Sequence, residues 1–372
     1  MKDFERYTRQ MILPGFGEST QQLLSDARVL VIGAGGLGCP ALLYLVAAGV
    51  GTIGIVDFDT VELTNLHRQV LYSEEDLGQP KVMVAAKKLA VQNSQVKIVA
   101  IETRLTALNA EEIIAGYDIV LDGSDNFPTR YLANDACVLL GKPLVYGSIY
   151  RFEGQVAVFN LPDESGQKTN YRDLFPDPSE TEGVLNCAEA GVIGILPGII
   201  GGFMANETLK IITHIGSPLC NRLMTFNSLT SATYTMDLSV NPKAAEFSPK
   251  TLEELSLMDY ENVCEVPGLK ELAPEDLDRF FAENEAYRLL DVRESHEMPK
   301  LVGYPYFSIP LGSLLERMGE LRENRKILVF CQSGIRSVQA AELILQNLEG
   351  ASLYNLKGGI NNLIAYQKSQ EV

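Results

Sequence analysis

The chain has few groups from which a metal centre or a disulfide framework could be built. Its 372 residues include three histidines, His67, His214 and His296, far apart in sequence. The six cysteines (Cys39, Cys137, Cys187, Cys220, Cys264, Cys331) stand alone, with no C-x-x-C pair. That spacing excludes a cysteine-rich zinc site and a disulfide scaffold, and it suits a reducing cytoplasm. Positive charge is also short: 31 Lys and Arg stand against 48 Asp and Glu, a net charge of -17. Sequence-independent binding of nucleic acid needs clustered bases to displace counterions, so no nucleic-acid partner is expected. The most apolar segment, 190–205, is broken by Gly191, Gly194, Pro197, Gly198, Gly201 and Gly202. It reads as a buried helix, and no membrane partner is expected. The N-terminus lacks the basic start and apolar core of a secretion signal. Cytoplasmic residence is the resulting expectation.

What the chain does contain is an alternation of short apolar runs and helical patterns. That is the signature of an α/β fold with a Rossmann-like, doubly wound, mostly parallel sheet. A strand over 27–32 runs into Gly33-Ala34-Gly35-Gly36-Leu37-Gly38, which opens a helix to Ala48. A second strand over 52–56 ends on Asp57, completing a G-x-G-x-x-G βαβ unit with its acidic residue. Further strands are expected over 96–102, 118–121 and 143–146, and an antiparallel one over 154–159, with helices over 109–115 and 129–140. Ligands of such sheets bind beyond the carboxyl ends of the strands. The glycine loop, Asp57 and Asp125 all fall there and can converge on one ligand. Alone, this unit suggests NAD or FAD. The next polar residues, Asp59, Asn65, Arg68 and Gln69, suit a site that polarises the phosphates of ATP instead.

The polar stretch over 160–189 reads as a mobile loop over the site. The first domain is expected over 1–249 and a linker over 250–268. A second, smaller α/β domain is expected over 269–372, with strands over 287–291 and 326–330 and a helix over 337–348.

Five spaced motifs in the first domain sharpen the reading. Arg6-Tyr7-Thr8-Arg9-Gln10, the GAGGLG loop, DFDTVELTNLHRQ from Asp57, Lys81, and Asp122-Gly123-Ser124-Asp125-Asn126 resemble the MoeB/ThiF family, bacterial relatives of ubiquitin-activating enzymes. The resemblance implies adenylation of the C-terminal glycine of a small ubiquitin-fold carrier ending in Gly-Gly, with ATP and Mg2+. By that resemblance Gly36 lies against the nucleotide, Asp57 binds the ribose, and Asp59, beyond the ribose position, belongs to the cofactor-binding set. Thr64, Asn65, Leu66, His67, Arg68 and Lys81 hold the phosphates. Asp125 holds the metal, and Asn126 the nucleotide. Arg9 reaches the phosphates of a neighbouring subunit, which implies a homodimer. Asp125-Asn126 also has a plainer reading, as the cap of the following helix.

Cys187 sits where many members of that family keep a cysteine that joins the activated carrier as a thioester or acyl disulfide; a buried, inert cysteine is the other reading. Many relatives also hold zinc through two C-x-x-C pairs, the first in a Tyr-Arg-Cys-Leu-Phe-Pro stretch. Here Tyr171-Arg172-Asp173-Leu174-Phe175-Pro176 stands instead, and no cysteine lies near Pro242. No structural zinc is expected.

In the second domain, Cys331-Gln332-Ser333-Gly334-Ile335-Arg336-Ser337 lies between a strand and a helix. Such a loop turns backbone N–H groups towards the sulfur, and both they and the helix N-terminus stabilise an anion. Arg336 adds positive charge. With Leu290-Asp291-Val292-Arg293-Glu294 and Lys357-Gly358-Gly359, the segment resembles rhodanese domains, whose cysteine carries sulfur as a persulfide. Four residues separate Cys331 from Arg336, one fewer than in the related phosphatase loop. The segment 297–310 lacks the usual Gly-His-Ile.

Together the two halves imply an adenylyltransferase that passes persulfide sulfur from Cys331 to a carrier's activated C-terminus, giving a thiocarboxylate for molybdopterin, thiamine or tRNA thiolation. A cysteine desulfurase or thiosulfate would supply the sulfur. The alternatives are an enzyme of the same superfamily acting on another substrate such as tRNA, and a non-catalytic docking scaffold.

Overall fold

A computed structural model describes residues 4–177, 191–260, 268–284, 286–322 and 326–370. The chain forms two compact units that divide near 263 and 264. The first is built on an eight-stranded sheet of β1 (Arg28–Ile32), β2 (Thr52–Asp57), β3 (Lys97–Glu102), β4 (Ile119–Asp122), β5 (Leu144–Tyr150), β6 (Glu153–Phe159), β7 (Arg222–Asn227) and β8 (Ala232–Asp237). Their order is β3-β2-β1-β4-β5-β6-β7-β8. Pairing is parallel from β3 to β5 and antiparallel from β5 to β8. This is the doubly wound sheet that the alternation predicts, with β1 and β4 flanking the point where strand order reverses.

The central strands are apolar on both faces because both faces are covered. Val29 and Val31 enter one core, while Leu30 and Ile32 of the same strand enter the other. The apolar helix Ile195–Thr213 lies in the first of these, with Leu196, Ile200 and Met204 fully buried. It is long and apolar enough to cross a membrane by length and composition alone, and half of it is buried within the fold. The helix approaches very closely: a Cβ on Gly201 would stand 2.5 Å from Leu37 O.

Two expectations are corrected. Within the stretch 160–189, expected as a mobile loop, Tyr171–Leu174 is instead a helical turn, and Arg172 is 1% exposed. A buried guanidinium must be paired. Here Nε and Nη2 donate to Asp135 at 2.8 and 2.7 Å, and Tyr260 donates to the same carboxylate at 2.8 Å. The expected linker over 250–268 also begins later. Leu252–Leu257 is a helix capped by Thr251, and it buries Leu255 with Tyr260 in the first unit's core.

The second unit has a five-stranded parallel sheet of β9 (Leu269–Leu272), β10 (Arg288–Asp291), β11 (Tyr306–Ser308), β12 (Lys326–Phe330) and β13 (Ser352–Leu356), in the order β11-β10-β12-β13-β9. The central strand β12 is buried from Ile327 to Phe330 and leads straight into Cys331. The helix Ile335–Asn347 follows.

Candidate active sites

In the first unit, loops at the carboxyl ends of β1, β2, β3 and β4 line one cleft of ≈880 Å3, its open mouth included. Of the residues singled out in the sequence, Gly36, Asp57, Asp59, Arg68, Lys81, Asp125 and Asn126 line it. The Asp57 carboxylate fixes the cleft's shape. Its Oδ2 accepts from Ala34 N at 2.8 Å and its Oδ1 from Asp59 N at 2.8 Å, tying the glycine loop to the turn after β2. Burial pushes its carboxyl up, opposed by Lys81 and the two backbone donors. Each oxygen keeps acceptor capacity for a ligand hydroxyl.

Lys81 opens the helix Lys81–Gln92 and is 5% exposed. Its Nζ donates to Asp59 Oδ2 at 2.8 Å, and its backbone N–H to Asp59 O at 2.9 Å. One of three ammonium donors is thus used by a carboxylate that is itself half-exposed, so the lysine's charge is anchored in the wall of the cleft. Gln69, 4% exposed, has an Oε1 with no hydrogen-bond partner among the described residues. A buried orphan acceptor in a cleft wall asks for a donor from a ligand.

Thr64, Asn65, Leu66 and His67 do not line the cleft. They build the turn that presents Arg68: Arg68 Nη1 donates to Thr64 O at 3.1 Å, and Arg68 and Gln69 donate their backbone N–H groups to Asn65 O. His67 lies beside Arg68, with its basicity lowered by burial and by that charge. Arg9, on the exposed turn Thr8–Met11, lies outside the cleft. Asn126 fulfils the plainer reading as well, since its side chain accepts from Thr129 N at 2.9 Å and caps Phe127–Leu140. Cys187 lies outside the described residues.

Sequence reasoning missed Arg104 and Arg130. Arg104 follows β3, stacks 4.2 Å over the Phe58 ring and lines the cleft. Arg130, one turn into the helix after Asn126, is 6% exposed and donates to Ser124 O at 3.3 Å. The rule that ligands bind beyond strand ends would have found the first. Nothing in the sequence marks the second.

In the second unit, Cys331 is fully buried. Its Sγ accepts from Gly334 N at 3.1 Å, and Ser337 Oγ stands 3.4 Å away. The Lys357-Gly358-Gly359 motif holds this loop from behind. Ile360 N donates to Cys331 O at 2.9 Å, and Asn361 N to Gln332 O at 3.1 Å. Gly359 has φ +61°, and a Cβ there would stand 2.5 Å from Cys331 O. Arg336 does not contribute an unmatched charge. Its Nη1 and Nη2 donate to Glu297 Oε1 and Oε2 at 2.6 and 2.7 Å. Arg293, 1% exposed, is paired with Asp291 in the same way and donates to Gln332 Oε1 at 3.0 Å.

Residues 7–247 match the ThiF family and residues 273–365 the rhodanese-like domain. The chain belongs to the ThiF family. It is 50% identical over 264 residues to the "Sulfur carrier protein adenylyltransferase" of Thermus thermophilus, covering 71% of this chain and 97% of that one. It is 39% identical over 377 residues to the "Adenylyltransferase and sulfurtransferase MOCS3" of Xenopus laevis, covering 94% and 82%. Among solved structures, E. coli MccB with ATP superposes with a TM-score of 0.54 at 22% identity, over 64% of this chain and 73% of that one. At that identity the likeness shows the fold alone.

Within the first unit the segment 170–176 is held by a carboxylate. Asp173 Oδ1 accepts from Asn241 N at 2.8 Å, and its Oδ2 accepts from Asn170 N and Nδ2 at 2.7 and 2.9 Å. The cross-link therefore joins the 170–176 segment to the one near Pro242.

Proposed function

We propose that this enzyme adenylates the C-terminal glycine of a small ubiquitin-fold sulfur carrier ending in Gly-Gly, and that Cys331 supplies the sulfur that converts the adenylate to a thiocarboxylate. The observation that carries the first half is the cleft: a buried lysine, three arginines and an orphan amide oxygen around a glycine loop. ATP fits that set. Lys81, Arg68 and Arg104 offer charge to phosphates, Gly36 lines the cleft in close contact with Pro197 and Arg68, and Gln69 Oε1 offers an acceptor to the nucleotide. Asp125, exposed at the cleft, fits a Mg2+ ion that takes one carboxylate and completes its shell from phosphates and water. When bound, that ion would neutralise phosphate charge.

A carboxylate attacking the α-phosphorus is repelled by the triphosphate unless cations offset it, and that is the task we assign to Lys81 and Arg68. The C–O–P mixed anhydride forms and pyrophosphate leaves. A Cys331 persulfide anion then attacks the carbonyl and AMP leaves, giving an acyl disulfide. A thiolate, from Cys187 or an external thiol, attacks the Cys331 sulfur and releases the thiocarboxylate; a second external thiol reduces the disulfide that remains. Arg9 from a second copy would complete the phosphate site in a homodimer. A cysteine desulfurase or thiosulfate would load Cys331. The free cysteines among the described residues suit a reducing compartment such as the cytoplasm.

The test is ATP–pyrophosphate exchange with a panel of ubiquitin-fold carriers, each beside a form lacking the terminal glycine. Exchange with one carrier that is lost in Asp125→Ala supports the reading and names the pathway. Exchange that proceeds without any carrier's terminal glycine overturns it.

A further inference from the structure

The charge around Cys331 has a consequence for what can load it. Rhodanese-type loading is an attack by the Cys331 thiolate on a sulfane sulfur. With thiosulfate, Cys331–S⁻ takes the outer sulfur to become Cys331–S–S⁻, and the S–S bond breaks to release sulfite as a dianion. With an alkyl persulfide, Cys331–S⁻ attacks R–S–SH, forms Cys331–S–SH and releases R–S⁻. The two donors differ chiefly in charge. Thiosulfate brings two negative charges to the thiolate and leaves two on its product; a persulfide brings at most one.

Two guanidinium groups are hydrogen-bonded in or beside the loop, and each is matched by a carboxylate. Arg293 is paired with Asp291 at 2.8 Å, with side chains 1% and 3% exposed. Arg336 is held by Glu297 in a two-point contact, with side chains 14% and 21% exposed. The Arg336 contact, with the backbone N–H of Glu294, holds the Glu297 carboxyl below its usual range. These four side chains sum to zero charge. Two donors touch the sulfur, the Gly334 N–H and the Ser337 hydroxyl, and neither carries a net charge.

We propose that Glu297 sets the sulfur-donor class of this site: by neutralising Arg336 it disfavours dianionic donors such as thiosulfate and leaves alkyl persulfides, as carried on a protein cysteine, as the substrate. This rests on the sulfurtransferase reading of Cys331 above. Glu297 acts through Arg336 and is a specificity-determining, positioning residue.

The experiment measures sulfur uptake by the full chain in single turnover, as the gain of one sulfur atom by intact mass, from thiosulfate and from N-acetylcysteine methyl ester persulfide. Wild type should load from the persulfide at least about tenfold faster. Glu297→Gln should raise the thiosulfate rate by about tenfold or more, the order expected when one matched charge becomes unmatched beside an anion's path. It should move the persulfide rate by less than about threefold, and the thiosulfate gain should shrink as salt rises. Glu297→Asp keeps the charge and should stay slow with thiosulfate, which separates charge from loosening of the loop. A Glu297→Gln protein with no thiosulfate gain, or a gain shared equally by Glu297→Asp, overturns the proposal while leaving sulfur transfer at Cys331 intact. Wild type that loads from neither donor overturns the proposal and the sulfurtransferase reading together.

Discussion

The nucleotide cleft of the first unit and the Cys331 loop of the second are built alike and finished differently. Each follows a buried parallel strand, turns through glycine and runs into a helix. The cleft is open: Lys81 spends one hydrogen bond on a half-exposed Asp59, and Gln69 Oε1 has no partner among the described residues. The loop is closed, with its sulfur fully buried and both neighbouring guanidinium groups paired. A site that must neutralise a polyanion gathers cations along its wall. One that carries a single atom on a single anion needs only short-range donors and gains by shedding charge.

That contrast predicts independent chemistry in the two units, and the largest effects test it. Lys81→Met should lower ATP–pyrophosphate exchange by roughly 10²–10³, the usual loss for a transition-state charge partner. Its stability cost should be small, since the Asp59 left behind stays half-exposed. Sulfur loading of Cys331 should not change. Cys331→Ser should do the reverse, abolishing loading and leaving exchange intact. Stopped exchange in Cys331→Ser, or lost loading in Lys81→Met, would mean the sites are not separable.

The fold was legible because periodicity and punctuation agree. The strand over 326–330 falls where the apolar run places it, and β1 reads as continuous because both its faces are covered. Cleft residues at strand ends were legible for the same reason. Arg130, Glu297 and Asp173 were not. Each acts through a partner 6, 39 or 68 residues away, Ser124, Arg336 and Asn241, and no local pattern marks such a pairing. Composition misread 160–177: its polar residues suggested mobility, yet Arg172 is buried because Asp135, on a different helix, pairs with it.

Two glycines sharpen the comparison at intermediate size. Gly36 in the cleft has an ordinary backbone, and a Cβ there would stand 3.2 Å from the Pro197 Cβ. Gly36→Ala should push Pro197 and Arg68 aside at the cleft wall and so weaken ATP binding, read as a raised KM for ATP in exchange, with a smaller loss in unfolding than at Gly359. Gly359 has φ +61°, and a Cβ there would strike the Cys331 and Gln332 backbone within about 2.7 Å. Gly359→Ala should destabilise the second unit by roughly 2–4 kcal/mol, from left-handed strain plus overpacking. Equal unfolding losses in the two variants would dissolve the distinction between a contact at the edge of the open cleft and one inside the closed loop.

The smallest expected effect is in acid, where the two sites should respond with opposite sign. Glu297 is held below its usual 4.5 by Arg336. A carboxyl with a depressed folded value stabilises the fold above its unfolded value, and that contribution is lost as pH falls through the folded one. Asp57 is raised above its usual 3.8 by burial. It takes up its proton in the folded state first, so the folded state binds more protons and stability from this group rises as pH falls through that range. Because the two units need not unfold together, the readout should be local: hydrogen exchange of β12 amides for the second unit and of β2 amides for the first. In Glu297→Gln the acid weakening of β12 should flatten while β2 is unchanged. An acid limb for β12 that persists in Glu297→Gln would show that the Arg336 pair adds nothing to the closed site's stability, and that its matched charge serves donor selection alone.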